Sequence, residues 1–400
     1  MLGWQLLGHH NIHFYHKLMR EIRQSIFEGS FLQFYKAKRD ILHSDDLDNP
    51  TVKHRPKSPK RMVLGDYEVH IAIEGFASIR HVSSGEIMHS RTPPMEEARR
   101  LYIEQADLAK RVQREGEPWE GEAAPELLKD QSDRSDLTDL NNSPLVIWDV
   151  GLGAAANAMA AIRCFEEKAR TGPVRPLRII SFENDLDSLR LAWKHHDLFP
   201  YLRHGGTPAL LKEGRWESKE GLYEKAESGK GESGNEEHGK AESGNDVSPR
   251  GLLGWELIQG DFYEVMGQAT LPPDIIFYDM FSSKTCGHQW TLVAFHRLFA
   301  ACKGKATQLF TYTCSTAARV ALLAAGFYVA RGRRTGEKLE TTIAFTPEAL
   351  ALSGDFDLLG AEWLRKWHRS TAKFPAGLEP HHHPAFEQTI LGHPQFAGAV

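Results

Sequence analysis

Apolar residues recur at helical spacing through the first 45 positions: Ile12, Tyr15, Leu18, Met19, Ile22 and Ile26, then Phe31, Phe34 and Tyr35 beyond the break at Glu28-Gly29-Ser30. The pattern predicts one or two amphipathic helices over residues 1–45. Residues 46–62 are polar and proline-rich and read as a linker. Alternation at Tyr67, Val69, Ile71 and Ile73 then predicts the strands of a small hairpin region, followed by a helix around Met95 to Leu108. Residues 115–142, dominated by Glu, Asp, Pro and Ser, read as a surface loop.

The pattern changes at Leu145. Leu145, Val146, Ile147 and Trp148 form an apolar run of buried-strand character, Asp149 and two glycines follow, and a helical pattern (Met159, Ala160, Ile162, Arg163, Phe165) takes over at once. Further strands are predicted at 177–183, 255–261, 274–279 and 308–312, with helices at 185–195 and 291–302 between them. Strands alternating with helices predict an α/β fold with a doubly wound parallel sheet and a ligand at the carboxyl ends of its strands. Residues 218–249 break the alternation. They repeat Lys-Ala-Glu-Ser-Gly, have almost no apolar residue to bury, and are expected to be a disordered insertion. The last stretch, 348–400, holds Trp363 and Trp367 and then a His- and Pro-rich tail whose packing the pattern does not predict.

Composition narrows the function classes. No apolar run approaches the roughly 20 residues of a membrane helix, and the N-terminus mixes His, Lys, Arg and Glu, so no membrane association and a cytoplasmic location are expected. Cys164, Cys286, Cys302 and Cys314 have no C-x-x-C spacing, which predicts reduced thiols. His381-His382-His383 and His393 have no acid or cysteine at ligand spacing, so no metal is expected. A net charge of −5 argues against avid non-specific nucleic-acid binding but leaves room for a local basic patch.

The chemistry centres on the turn after Trp148. Gly151 and Gly153 give a sharp strand-to-helix turn its backbone freedom and let a ligand approach the peptide. The spacing Gly-x-Gly-x-x-Ala through Ala156 also satisfies a loose dinucleotide pattern, which keeps an NAD(P)-linked oxidoreductase open. A dinucleotide site expects its ribose-binding acid about 20 residues past the glycines, whereas Glu183, the first acid to end a strand, lies about 30 residues beyond Gly153. S-adenosylmethionine has no phosphate, and its cationic groups tolerate carboxylates such as Asp149. Three acids end successive strands: Glu183 for the ribose hydroxyls, Asp261 for the adenine amino group, and Asp279, the candidate to handle an acceptor's proton.

At Asp279 the chain resembles a known family. Phe277-Tyr-Asp-Met-Phe-Ser-Ser-Lys284, with Trp290-Thr291 downstream, resembles the Asp-Gly-Phe-Ala-Pro-x-Lys-x-Pro-x-x-Trp block of the MnmC-type tRNA methyltransferase domain. His89-Ser-Arg with Glu96-Glu-Ala-Arg, the glycine loop ending in Asn157, and Thr311-Tyr-Thr-Cys-Ser-Thr with Arg319 are similar to further blocks, so the likeness spans about residues 62–347. Two departures are visible: Ala155 stands where the family has a third glycine, and Met280-Phe-Ser-Ser replaces Gly-Phe-Ala-Pro. The resemblance implies a Rossmann-like S-adenosylmethionine-dependent methyltransferase fold over 63–347, acting on the aminomethyl group of a modified wobble uridine in tRNA. The candidate cofactor contacts are then Asp149, Gly151, Gly153, Ala155, Asn157, Glu183 and Asp261; Asp279, by its place at a strand end, is the candidate catalyst, and Phe281, Lys284 and the basic run of Arg331, Arg333 and Arg334 are the candidate substrate contacts. Residues 2–23, containing His9-His-Asn-Ile-His-Phe-Tyr15, resemble the tail of queuine-type tRNA-guanine transglycosylases. There the residue matching His10 is a zinc ligand. The cysteines that would complete the site have no counterpart here, so a non-catalytic appendage is expected, and a non-enzymatic tRNA-binding adaptor is the third open reading.

Overall fold

The computed structural model describes residues 2–42, 61–89, 91–113, 143–218, 252–333, 340–352, 356–371 and 373–397. The chain divides into two units, Met1–Arg61 and Met62–Val400. The expected loop at 115–142, most of the linker, and the expected disordered insertion apart from Ser218 lie outside the described residues.

The first unit is a helical hairpin. Helix Leu2–Phe27 and helix Phe31–Leu42 meet at Gly29, which adopts φ +68°, and Ser30 donates its N–H to the Ser25 carbonyl at 2.8 Å. Lys38 pairs with Glu21 across the hairpin at 2.9 Å.

The second unit opens on an antiparallel sheet of β1 (Val63–Leu64), β2 (Tyr67–Ile71) and β3 (Ala77–His81). The helix expected from Met95 to Leu108 is interrupted. Helix Pro94–Ala98 runs into a π turn at Arg99–Ile103, and Asp107 at φ 49° ends it before a second helix, Leu108–Val112. The wider π turn buries three consecutive residues, Leu101, Tyr102 and Ile103, which a regular helical period would spread around the axis.

The main sheet holds β4 (Leu145–Val150), β5 (Leu177–Glu183), β6 (Arg215–Glu217), β7 (Leu253–Gln259), β8 (Ile275–Tyr278), β9 (Gln308–Thr311), β10 (Tyr328–Gly332) and β11 (Thr341–Phe345), in the order β10-β11-β9-β8-β4-β5-β7-β6. Strands β7, β5, β4, β8 and β9 are parallel, as the alternation predicts. The edges are not. β6 runs antiparallel on β7, and β11 lies antiparallel between β9 and β10. The sheet is therefore doubly wound and mixed, with its switch point between β4 and β8, where strand order reverses.

Alternate residues of the strands feed two cores. Leu145, Ile147, Ile275 and Phe277 face one layer with helix Ala156–Ala169, and Val146, Trp148, Val150, Ile276 and Tyr278 face the other. Both faces are covered, which is why these strands read as continuous apolar runs. The C-terminal stretch is part of the second layer. Trp363, Trp367, Phe386, Ile390 and Phe396 are buried there, and each such side chain contributes roughly 1.5–3 kcal/mol of transfer free energy. Gln395 also binds edge strand β10: its Oε1 accepts from the Val329 N–H at 2.7 Å and its Nε2 donates to the Val329 carbonyl at 2.8 Å. The tail thus covers backbone groups an open edge would expose. Two of its histidines are engaged within it: His383 stacks on Phe374 with ring centroids 3.6 Å apart, and His393 Nδ1 accepts from the Gln395 N–H. Among the described residues, no helix is long and apolar enough to cross a membrane.

Candidate functional site

A cavity of about 850 Å³ opens at the carboxyl ends of β4, β5 and β8, within the usual range for a small-molecule site. Its walls come from the glycine loop, the turn after β5, the loop after β8, the π turn and the segment following β3.

The glycine loop is built by its neighbours. Gly151 and Leu152 donate their N–H groups to the Phe182 carbonyl at 3.1 and 3.2 Å, Gly153 donates to Glu183 Oε2 at 2.8 Å, and Ala155 donates to the Leu152 carbonyl at 2.7 Å. The peptide N–H groups of residues 151–153 are therefore already used, because β5 supplies both a carbonyl and a carboxylate beside them. A pyrophosphate would need those donors and would meet the Glu183 charge. The loop instead suits a ligand that carries positive charge and no phosphate, and it weighs against the dinucleotide reading. Gly151 sits at φ +87° and Gly153 at φ +53°, and a Cβ on Gly151 would lie 2.7 Å from the Asp279 carbonyl oxygen. Ala155, buried at φ 61°, takes a left-handed conformation that costs a non-glycine residue roughly 1–2 kcal/mol.

The strand-end acids occupy different places. Glu183 lines the cavity, with Oε1 accepting the N–H groups of Asn184 and Asp185 at 2.9 and 3.1 Å and Oε2 accepting from Gly153. Three of about four acceptor positions are filled, leaving one. Burial raises the Glu183 pKa, opposed by those backbone bonds. Asp279 also lines the cavity, and Asn157 Nδ2 donates to its Oδ2 at 2.8 Å. Burial raises the Asp279 pKa, while His89 and Asn157 pull it back.

Asp261 does not line the cavity. Its Oδ1 accepts from the Tyr263 N–H at 2.9 Å and from Gln289 Nε2 at 2.8 Å, and its Oδ2 lies 2.6 Å from His288 Nε2. It caps the helix Phe262–Val265 and holds His288, which does line the wall.

Asp149 lies beneath the loop, fully buried. Its Oδ2 accepts from Ser181 Oγ at 2.8 Å, and that hydroxyl accepts from Trp255 Nε1 at 2.9 Å. Oδ1 has no partner, and burial pushes the carboxyl up to about 7. A carboxyl raised from 3.8 in the unfolded chain to about 7 in the folded one stabilises the fold fully below pH 4, and that contribution is lost as pH rises through 7. Asp149→Asn cannot ionise. Its melting temperature relative to the parent is expected to climb between pH 4 and 7 and level off above, by the equivalent of roughly 2–4 kcal/mol. A difference that stays flat with pH would show that Asp149 is not held protonated.

Of the expected substrate contacts, Phe281 lines the cavity, its ring 5.4 Å from that of His81. Lys284 is exposed on the same loop and outside the wall. Arg331 is ion-paired with Asp357 at 3.1 Å and Glu340 at 3.4 Å. Arg333 follows β10 at the sheet end that carries the cavity, with its N–H on Gln105 Oε1, and Arg334 lies outside the described residues. The fold adds residues that sequence reasoning did not single out: Glu86, Glu97, Tyr102, Asp185, His288 and Tyr312 all line the cavity. His89 is buried with Nδ1 at 2.9 Å from Glu97 Oε2. The only sequence signal for this pair is its presence in a similar family block.

The cavity fits S-adenosylmethionine. Gly151 and Gly153, which carry no Cβ, line it, Glu183 and Asp279 both contribute carboxyl groups to its wall, and Asn157 Oδ1 is buried without a hydrogen-bond partner. Comparison with known proteins points the same way. Residues 243–347 match a family model described as S-adenosyl-L-methionine-dependent methyltransferase, and residues 1–43 match one described as queuine tRNA-ribosyltransferase. No curated protein sequence matches the chain. Among solved structures, MNMC2 from Aquifex aeolicus is 17% identical with a TM-score of 0.48, covering 84% of this chain and 86% of its own. Precorrin-6y C5,15-methyltransferase from Geobacter metallireducens GS-15 is 15% identical with a TM-score of 0.25, covering 56% of this chain and 94% of its own. The O-methyltransferase TomG from Streptomyces achromogenes, solved with SAM, is 10% identical with a TM-score of 0.26, covering 64% and 89%. The family match over residues 243–347, on a sheet with its cavity at the β4/β8 switch point, identifies the second unit as an S-adenosyl-L-methionine-dependent methyltransferase.

Proposed function

We propose that the chain methylates the aminomethyl group of a modified wobble uridine in tRNA. The observation that carries this reading is Asp279, a carboxylate on the cavity wall beside the glycine loop, oriented by Asn157 at 2.8 Å and made more basic by burial. Bound in the cavity, S-adenosylmethionine supplies a methyl group on a positively charged sulfur, open to attack by a neutral amine. Gly151, Gly153, Asn157 and Glu183 hold the donor side, with Asp149, Ala155 and Asp261 shaping the backbone and rim behind them. Asp279 accepts the proton that the amine nitrogen gives up on methylation. Phe281 offers a ring face for the acceptor base, the usual way a splayed-out nucleotide is gripped.

The tRNA part of the reading is supported by the match of residues 1–43 to queuine tRNA-ribosyltransferase and by the resemblance of the block around Asp279 to MnmC-type enzymes. Lys284 and Arg333, with Arg334 beside it in sequence, offer cations to the phosphate backbone, while Arg331 is engaged by its two acids. In this reading residues 63–347 are the catalytic domain, residues 1–45 a non-catalytic appendage, and the cytoplasm the place of action. The test is methyl transfer from labelled S-adenosylmethionine to tRNA lacking the terminal methylation, followed by mass spectrometry of the wobble nucleosides. Label on the aminomethyl nitrogen is expected. Donor binding without any transfer to tRNA would leave the adaptor reading in its place.

A further inference from the structure

We propose that Glu86 is a positioning residue for the acceptor, fastening the loop that forms the acceptor wall. Glu86 follows β3 in a turn tied back to that strand: the His81 N–H donates to the Glu86 carbonyl at 2.8 Å, and the Met88 N–H donates to the Ile79 carbonyl at 3.0 Å. From this fixed base its carboxylate reaches across the chain. Oε1 accepts the Ser282 N–H at 2.9 Å, and Oε2 accepts the hydroxyls of Ser282 at 3.1 Å and Thr285 at 2.7 Å. Three bonds to one carboxylate are charge-assisted and roughly twice as strong as neutral ones.

The residues so held matter because of where they stand. Ser282 comes three positions after Asp279, and Phe281, Thr285 and Cys286 all line the cavity. The preceding backbone is fixed from two other directions, since Tyr312 donates its hydroxyl to the Met280 carbonyl at 3.0 Å and Trp290 Nε1 donates to the Phe281 carbonyl at 2.9 Å. Glu86 is the third anchor, and it comes from the small sheet rather than from the main one. Through it, the sheet that carries Tyr67 and His81 is joined to the loop that carries Phe281. The three rings follow one another at centroid distances of 5.3 and 5.4 Å. Glu86 itself needs no contact with the reacting atoms. It sets the aromatic wall against which an acceptor base would lie, and the donor side, built by the glycine loop and β5, does not depend on it.

This inference rests on the reading that the acceptor occupies the Phe281 side, so its test has one arm that does not use the acceptor. Glu86→Gln can keep all three bonds, its oxygen accepting from the Ser282 N–H and its amide donating to the two hydroxyls, whereas Glu86→Ala loses them all. In Glu86→Ala, amide hydrogen exchange across residues 281–286 is expected to quicken about tenfold or more, and the KM for the tRNA acceptor to rise by a similar factor. Donor affinity by calorimetry and kcat at saturating acceptor should stay within about threefold of the parent, and Glu86→Gln, whose bonds are neutral, should recover a large part of both exchange protection and KM. Unchanged exchange in Glu86→Ala would overturn the proposal, as would a donor affinity falling as far as the acceptor KM, or a Glu86→Gln variant as impaired as Glu86→Ala. If the parent methylates no tRNA, the functional reading fails by itself, and the exchange and donor-affinity measurements still decide the role of Glu86.

Discussion

Asp279→Asn is expected to lower turnover by about 100-fold or more while donor affinity stays within a few-fold. The side chain keeps its shape, and the Asn oxygen can still accept from Asn157 Nδ2, the bond that holds Asp279 at 2.8 Å in the parent. What disappears is the base. Burial raises the Asp279 pKa, so the parent's rate should climb with pH first as this carboxyl ionises, later than an ordinary aspartate would, and again as the acceptor amine loses its own proton. The variant has only the second limb, so the earlier rise should vanish from its profile while the later one stays in place. Separate measurement of kcat over a pH series and of donor affinity by calorimetry checks both halves. Loss of donor binding with turnover retained at saturating donor would move Asp279 into the cofactor site.

Gly151→Ala is expected to abolish measurable donor binding and to lower stability by roughly 2–5 kcal/mol, the sum of a left-handed alanine and an overpacked contact. The added Cβ would lie 2.7 Å from the Asp279 carbonyl oxygen, 3.0 Å from its carbon and 3.2 Å from the Met280 nitrogen. None of these can swing aside. The Asp279 N–H donates to the Val150 carbonyl at 2.9 Å, and the Gly151 N–H donates to the Phe182 carbonyl at 3.1 Å, so the clash falls on the junction of β4, β5 and β8. Gly153 is the milder position. There a Cβ meets the flexible end of Met88 at 3.1 Å at φ +53°, and Gly153→Ala should cost about 1–2 kcal/mol and weaken the donor only partly. Thermal melts and donor titrations on the two variants side by side check the order. Donor affinity unchanged from the parent in both would mean that the loop does not hold the donor.

The central strands were legible because both faces of the sheet are covered. Leu145–Val150 and Ile275–Tyr278 are apolar at nearly every position, and the acids that follow or end such runs stand out against them. The edge strands were not legible. β6 is three residues long with only its middle one buried, and β10 and β11 are an antiparallel pair whose insertion beside β9 has no local signature. The C-terminal helices were hidden for a related reason, since the value of Trp363, Trp367 and Phe396 depends on a sheet face assembled elsewhere in the chain.

The same division runs through the site. By itself the sequence determined the strand-turn-helix around Gly151 and the strand-end positions of Glu183, Asp261 and Asp279, because backbone freedom and burial periodicity are properties of neighbouring residues. It could not tell that Asp261 spends its oxygens on Tyr263, Gln289 and His288, or that Asp149 is sealed under the loop. Nor could it bring Glu86 to Ser282 across 196 residues, or set His89 and Glu97 in the wall that Asp279 shares. Those placements were decided by tertiary structure alone, because a side chain's partners, and with them its charge state and its access to a ligand, are fixed only when distant strands and loops close around it.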